Sequence, residues 1–449
     1  MRRVRSKLVR LIALGVVLLC LRGYATWGAS AAPEFTLPVA VPIVADDRGA
    51  SQAIRFLEGR VREDPENFHA YNKLAGAYLQ RLRDTGNVQF LELTFRAARA
   101  SLASVPAEQN VGGLAALAQA EHAAHDFAAA RDHALQLVQL DPAKSYPYEL
   151  LGDALLEVGD YERATEAFSR MEALSGGFGT QTRLARLAVL EGDTETAQRR
   201  FFRALALALD APAPSRETVA WVRWQFGETS FAVGDYATAE RHYRDALTTF
   251  PGYHNALVAL GRVRAARGDL AGAVEAYEEA VLRLPDPAFV AALGDLYALA
   301  GREDDATRQY ALVEQIARLG ALNGSLYDRQ LALFYADHDL HADQAYAMAL
   351  AEFQVRRDVY GADAAAWTAL KAGRVAEARA SISEALRLGT RDARLLYHAG
   401  MIARADGDDA SARDYLRDAL SLNPKFDPLH AAVAQRALDE LTSAASDPR

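Results

Sequence analysis

The chain is predicted to be all-α, a solenoid of about ten stacked helix-turn-helix units closed by a C-terminal helix. Three observations carry that prediction. A glycine is followed five residues later by an alanine, as Gly-(Asp/Arg)-x-x-x-Ala, at Gly159, Gly192, Gly234, Gly268, Gly301, Gly373 and Gly407, in steps of 33, 42, 34, 33, 72 and 34 residues. A step near 33 is one helical pair, and the step of 72 hides a degenerate copy. From Ala50 to about Leu441 the apolar residues keep a helical period, with almost no β-branched alternation that reads as strand. The composition agrees, with 51% hydrophobic and 24% charged residues in 449. In a stacked array each unit covers only its neighbours, so this length need not divide into separate domains.

Residues 1–31 are of another kind. Arg2, Arg3, Arg5, Lys7 and Arg10 precede an apolar run from Leu11 to Leu21, and Ala29-Ser30-Ala31 supplies small residues for cleavage. This is the pattern of a secretory signal peptide, its apolar run being shorter than the ~20 residues of a membrane span. The expectation is an exported protein, periplasmic or extracellular, that is tethered to a membrane only if the segment stays uncleaved. Cys20 is the sole cysteine, so the chain after residue 31 has no disulfide, thiolate metal site or cysteine nucleophile. Removing 1–31 takes six of the 50 basic residues and none of the 59 acidic ones, leaving a net charge of −15. Such a surface repels phosphate backbones, and no nucleic-acid partner is expected. Residues 32–49 carry Pro33, Pro38 and Pro42 without helical period and read as an extended linker.

The solenoid is expected over 50–441. A lone helix at about 50–64 ends at Pro65 and resembles the second half of an incomplete unit. Units then follow at 68–106, 111–142, 145–176, 178–210, 220–251, 254–285, 287–318, 326–358, 359–390 and 393–424, with a closing helix at 428–441 and a disordered tail at 442–449. A turn glycine supplies the positive φ that ends the first helix of a unit, and the Asp after it can cap the second. Gly152, Gly227, Gly261, Gly294 and Gly400 stand midway along first helices, where a missing side chain lets the second helix approach. Phe168, Phe201, Tyr243, Tyr277 and Tyr310, four residues after the small alanine, fill the wedge toward the next unit.

Several units depart from the rule. The first expands its turn to Arg83-Asp84-Thr85-Gly86-Asn87, the second has His125-Asp126 in place of glycine, and 326–358 has only Asp, His, Leu and Ala across 337–343. Ala211-Pro212-Ala213-Pro214 marks a place for a bend near 211–219, with stacking continuous across it.

The unit His254–Pro285 carries Leu257, Leu260 and Gly261, then Gly268-Asp269, then Ala273, Tyr277 and Ala280. In that order these residues resemble the tetratricopeptide repeat. The resemblance implies a right-handed superhelix whose first helices line a concave face through their second, fifth, ninth and twelfth positions. Those positions are Trp221, Trp224, Glu228 and Phe231 in 220–251, Tyr327, Gln330, Phe334 and Asp337 in 326–358, and Arg394, Tyr397, Met401 and Arg404 in the last unit. A partner-binding groove of Trp221, Trp224, Glu228, Phe231, Tyr327, Phe334 and Tyr397 follows, since aromatic side chains on a concave face anchor peptides. The competing reading packs Trp221 against the Pro212/Pro214 break and Trp224 against the next helix.

The function expected is that of a non-enzymatic scaffold or adaptor binding a protein or peptide at the cell envelope, without a cofactor. The alternative is an envelope protein that binds metal or glycan, or an accessory subunit of an envelope enzyme or transporter. For metal, the candidates are Asp337, His338 and His341 in the irregular turn, with a weaker pairing of His122 and Asp126. Short polar residues also suit such turns without any ion. Ser175-Gly176-Gly177-Phe178-Gly179 lacks the strand and third glycine of a phosphate loop and reads as a connection between units.

Overall fold

All seven turn glycines of the repeat adopt left-handed backbone, with φ between 72° at Gly301 and Gly373 and 87° at Gly268. A computed structural model describes residues 37–43, 47–322 and 328–446. The chain separates into two bodies, Met1–Pro38 and Val39–Arg449. The second holds twenty-two α-helices among the described residues. None of the described helices is long and apolar enough to cross a membrane. The expected signal peptide of residues 1–31, residues 32–36 and Tyr327 lie outside the described residues.

A lone helix α1 (Asp47–Glu63) precedes ten pairs: α2 (Phe68–Thr85) with α3 (Gln89–Ser104), α4 (Val111–Ala123) with α5 (Phe127–Leu140), α6 (Tyr146–Glu157) with α7 (Tyr161–Leu174), and α8 (Phe178–Leu190) with α9 (Thr194–Leu209). After the Pro212/Pro214 break come α10 (Arg216–Ala232) with α11 (Tyr236–Thr249), α12 (His254–Ala266) with α13 (Leu270–Arg283), and α14 (Pro287–Leu299) with α15 (Glu303–Leu322). The array ends with α16 (Asp328–Asp337) and α17 (Ala342–Val355), α18 (Val359–Lys371) and α19 (Val375–Ala385), α20 (Ala393–Ala405) and α21 (Asp409–Leu422), and the single α22 (His430–Ser446).

The pairs follow the expected units, with differences at the edges. α10 starts at Arg216 rather than 220, because Ser215 accepts the N–H of Thr218 and caps it there. α1 begins inside the expected linker, and α22 carries helix to Ser446, into the expected tail. The linker also docks: the N–H of Ile43 donates to Thr249 O at 3.1 Å.

Five of the seven glycine turns are closed by the same local chemistry, the turns at Gly301 and Gly373 having Arg302 and Arg374 in place of the aspartate. Asp160, Asp193, Asp235, Asp269 and Asp408 accept the backbone N–H three residues on, each cap contributing about 1 kcal/mol. Where glycine is missing the bend persists at a cost, with φ 62° at His125, 54° at Asp339 and 45° at His341. Inside the units, rings of Phe168, Tyr243, Tyr277 and Tyr310 occupy the space a β-carbon would need at Gly152, Gly227, Gly261 and Gly294. The ends are covered as stacking demands. Ile54, Leu57 and Val61 of α1 pack on Leu74 and Tyr78, and Ala431, Ala434, Ala437 and Leu441 of α22 pack on Leu416 and Leu422.

The body winds back onto itself. Gly86, in the first unit's turn, lies against Leu284 at the end of the sixth unit. Arg387 donates to Gly159 O at 2.7 Å, and the N–H of Val359 donates to the Tyr161 hydroxyl at 2.8 Å, joining the third unit's turn to the end and the start of the ninth unit. Thr390 donates to Leu190 O at 2.5 Å, linking the fourth unit to the end of the ninth. Asn423 donates to Phe231 O at 2.7 Å and accepts from the Tyr236 hydroxyl at 2.6 Å, linking the fifth to the end of the tenth. The offset is five units, and six where Val359 and Arg387 of the ninth unit reach the third. A seam of ion pairs runs through it: Arg186 to Glu157 at 2.5 Å, Glu157 to Arg356 at 2.6 Å, Arg356 to Asp358 at 2.8 Å and Asp358 to Arg329 at 3.1 Å. Glu157, buried at the centre, would be raised by burial alone, but Arg186 and Arg356 bring its pKa down from 4.5 to about 2.

Candidate binding site

Because successive turns of the array touch, the inner faces of the first helices meet around recessed, partly open cavities. One cavity, of about 440 Å³, is faced by α10, α12, α14, α16, α20 and α22. A second, of about 420 Å³, lies among α4, α6, α8 and α10 and the seam at Arg356–Tyr360.

The larger cavity has a polar lining fixed by helix position. The residue after the close-packing glycine of each first helix faces inward, giving Glu228, Arg262 and Asp295 in consecutive units. Arg262 donates to Glu228 at 2.5 and 2.7 Å, with its guanidinium 4.3 Å above the Phe231 ring. Asp295 Oδ1 accepts from the Tyr310 hydroxyl at 2.9 Å and pairs with His338 Nε2 at 2.8 Å. Burial opposes a charge on that imidazole, yet the hydrogen bond to Asp295 prevails and raises its pKa above the usual value. Across the space Asp337 is held by Arg394 at 2.5 Å and by the Trp367 indole N–H at 2.8 Å. Asp427 accepts the N–H groups of Leu429 and His430, both at 2.9 Å, at the start of α22. Burial of Asp427 opposes its charge, and the hydrogen bond with His430 overcomes this to hold the carboxyl well below its usual range.

The expected groove residues separate into three groups. Glu228, Phe231 and Phe334 line the larger cavity, the two phenylalanines presenting 6% and 4% of their surface. Trp221 lines the other cavity, with its indole edge toward Phe201 at 6.2 Å. Trp224 and Tyr397 line neither cavity. Trp224 packs between the clusters around Tyr243 and Phe250, as the packing alternative requires. Tyr397, 2% exposed, is held among Trp367, Phe426 and His430 because α22 covers the inner side of α20.

The irregular turn does not assemble a metal site. Asp337 and His338 point toward different partners, Arg394 and Asp295, while His341 faces Glu314 at 3.8 Å on the other side. The left-handed residues Asp339 and His341 splay these side chains apart. His122 and Asp126 also diverge, His122 packing edge-on to Phe127 and Asp126 capping α5. Among the described residues no group of three metal-binding side chains converges.

Arg262, Asp295, Asp392, Asp427 and His430 were not singled out by sequence reasoning, and Tyr277 was read only as a packing residue of its unit. The charge alternation at the ninth position of successive first helices was the available signal for the first two. Asp427 and His430 enter the cavity only because the capping helix turns inward.

Two stretches, 230–296 and 364–425, match tetratricopeptide-repeat family models. No curated protein sequence matches the chain. Solved structures similar to it include the human IFIT1 dimer with PPP-AAAA, at 12% identity over 85% of this chain and 96% of that one with a TM-score of 0.46. Yeast Tom70 is 13% identical over 90% of this chain and 96% of its own, with a TM-score of 0.38. PilW, a type IV pilus biogenesis factor, is 16% identical over 45% of this chain and 91% of its own, with a TM-score of 0.39. Residues 230–296 and 364–425 are thus tetratricopeptide repeats, and the same helix pair and turn recurs through the units around them.

Proposed function

We propose that the chain is a non-catalytic scaffold that holds a segment of a partner protein inside its superhelix, outside the cytoplasm at the cell envelope. The observation that carries this reading is the larger cavity, in which side chains from six helices of different units converge on a space of about 440 Å³. Its carboxylates are engaged by arginine, histidine, tyrosine or backbone N–H groups, which suits selection and positioning of a bound segment. The envelope location rests on the basic, apolar and small-residue succession of residues 2–31.

Photo-crosslinking in cells tests the first part. A photoreactive phenylalanine analogue at Phe289, which lines the cavity, should trap a partner protein, whereas the same group at Phe56, 67% exposed on α1, should not. Adducts from Phe56 alone would place the partner outside and remove the reading. Mass spectrometry of the N-terminus tests the second part: the expected protein starts at Ala32 and is released with the periplasm, and a cytoplasmic protein starting at Met1 contradicts export.

A further inference from the structure

Tyr243, Tyr277 and Tyr310 hold the same place in three consecutive units, each ring lying over the glycine of the facing first helix. Beside that glycine stands the residue that each hydroxyl can reach. Tyr243 donates to Glu228 at 2.7 Å and Tyr310 to Asp295 at 2.9 Å. The corresponding residue for Tyr277 is Arg262, which has no acceptor to offer. Tyr277 is 6% exposed, lines the larger cavity, and its hydroxyl has no hydrogen-bond partner. The hydroxyl therefore faces the cavity with its donor available to an acceptor brought by a ligand.

The same cavity holds spare acceptors. Asp295, Asp392 and Asp427 each use only Oδ1, toward Tyr310 and His338, the N–H groups of Arg394 and Leu395, and the N–H groups of Leu429 and His430. Their Oδ2 atoms have no hydrogen-bond partner. The other two acids of the lining are neutralised, Glu228 by Arg262 and Asp337 by Arg394. His338 and His430 sit beside Asp295 and Asp427, and Asp392 has no basic side chain paired with it among the described residues, so the excess of the lining is negative. Phe231, Phe289 and Phe426 supply an apolar wall for an aliphatic stem.

We propose that this cavity takes an extended segment of a partner protein carrying a lysine or arginine, with Tyr277 donating to a backbone carbonyl of the segment and Asp295, Asp392 and Asp427 receiving the cation. The proposal rests on the channel reading above and adds the chemistry of what enters. A neutral carbonyl and a basic side chain satisfy both sets of unpaired atoms, whereas an acidic segment satisfies only the hydroxyl and meets the carboxylates as like charges.

Calorimetry with the full chain decides it, using acetylated and amidated five-residue peptides of alanine with a central Lys, Arg, Glu or Ala. The Lys and Arg peptides are expected to bind about tenfold more tightly than the Glu peptide. Tyr277→Phe, which keeps the ring over Gly261, should weaken the Lys and Ala peptides alike by roughly threefold to tenfold with no loss of melting temperature. Asp295→Asn, which keeps an acceptor for Tyr310, should narrow the gap between the Lys and Ala peptides. Equal binding of the Lys and Glu peptides, an unchanged affinity in Tyr277→Phe, or no binding by any peptide would overturn the proposal. A partner trapped from Phe289 alongside any of those results would leave the channel reading standing and discard this one.

Discussion

At Gly227 the space for a β-carbon is already filled by the ring of Tyr243, while Gly76 of α2 has nothing within 4 Å. The two sites therefore respond to alanine with opposite signs. Gly227→Ala should destabilise by about 1–3 kcal/mol through overpacking, despite the gain in helix propensity. Gly76→Ala should stabilise by up to about 1 kcal/mol, and denaturant midpoints compare the two directly. The Asp295–His338 pair adds a pH signature. His338 has a pKa raised in the folded state, so its contribution is complete below its unfolded value of 6.5 and fades as pH rises through the folded one. Asp295→Asn should cost more stability at pH 6 than at pH 9, and equal losses would show that the imidazolium contributes nothing. Turn glycines, their following aspartates and the small residues of first helices were legible in sequence because each acts within one unit. The unpaired hydroxyl of Tyr277 was not, since it depends on which ring reaches which first helix. At Tyr397 an inward position and a buried one look alike until the capping helix is placed over them.

Among the elements, the end of α21 bears more than its own unit. Asn423 is 1% exposed and joins Phe231 O to the Tyr236 hydroxyl across two turns of the array. Asn423→Ala would leave both groups unsatisfied and should cost about 2–3 kcal/mol, read as a lowered guanidinium midpoint with unchanged helical content before unfolding. The ten pairs and both single end helices were predictable from period and punctuation. Their termini were less so. α10 starts early because Ser215 caps it, and α22 runs on past Leu441 through the exposed residues 442–444. The cavity was only partly legible: Glu228, Phe231 and Phe334 follow from position within a unit, whereas Asp392 and Asp427 reach it through the path of the chain between units.

For the body as a whole, the deciding contacts join units five or six apart, and Glu157 is the ionisable group at their centre. Its folded pKa of about 2 lies below the 4.5 of a free carboxyl, so its contribution is present above 4.5 and is lost as pH falls toward 2. The radius of gyration from small-angle scattering should stay constant down to about pH 5 and grow below 4.5 while circular dichroism still reports full helicity. Glu157→Gln should be expanded already at neutral pH and show a smaller acid step. A radius unchanged through pH 2.5 in the native chain would mean that the seam holds without this carboxylate. No single unit contains a sign of the seam, which is why it was not legible in the sequence. This offset also bears on how such a chain can evolve. An open array tolerates duplication or loss of a unit anywhere, since every neighbour looks alike. Here, gaining or losing one internal unit would set Gly159, Leu190 and Asn423 opposite the wrong counterparts all at once. Copy number inside the body is thereby locked, and growth is confined to the two ends.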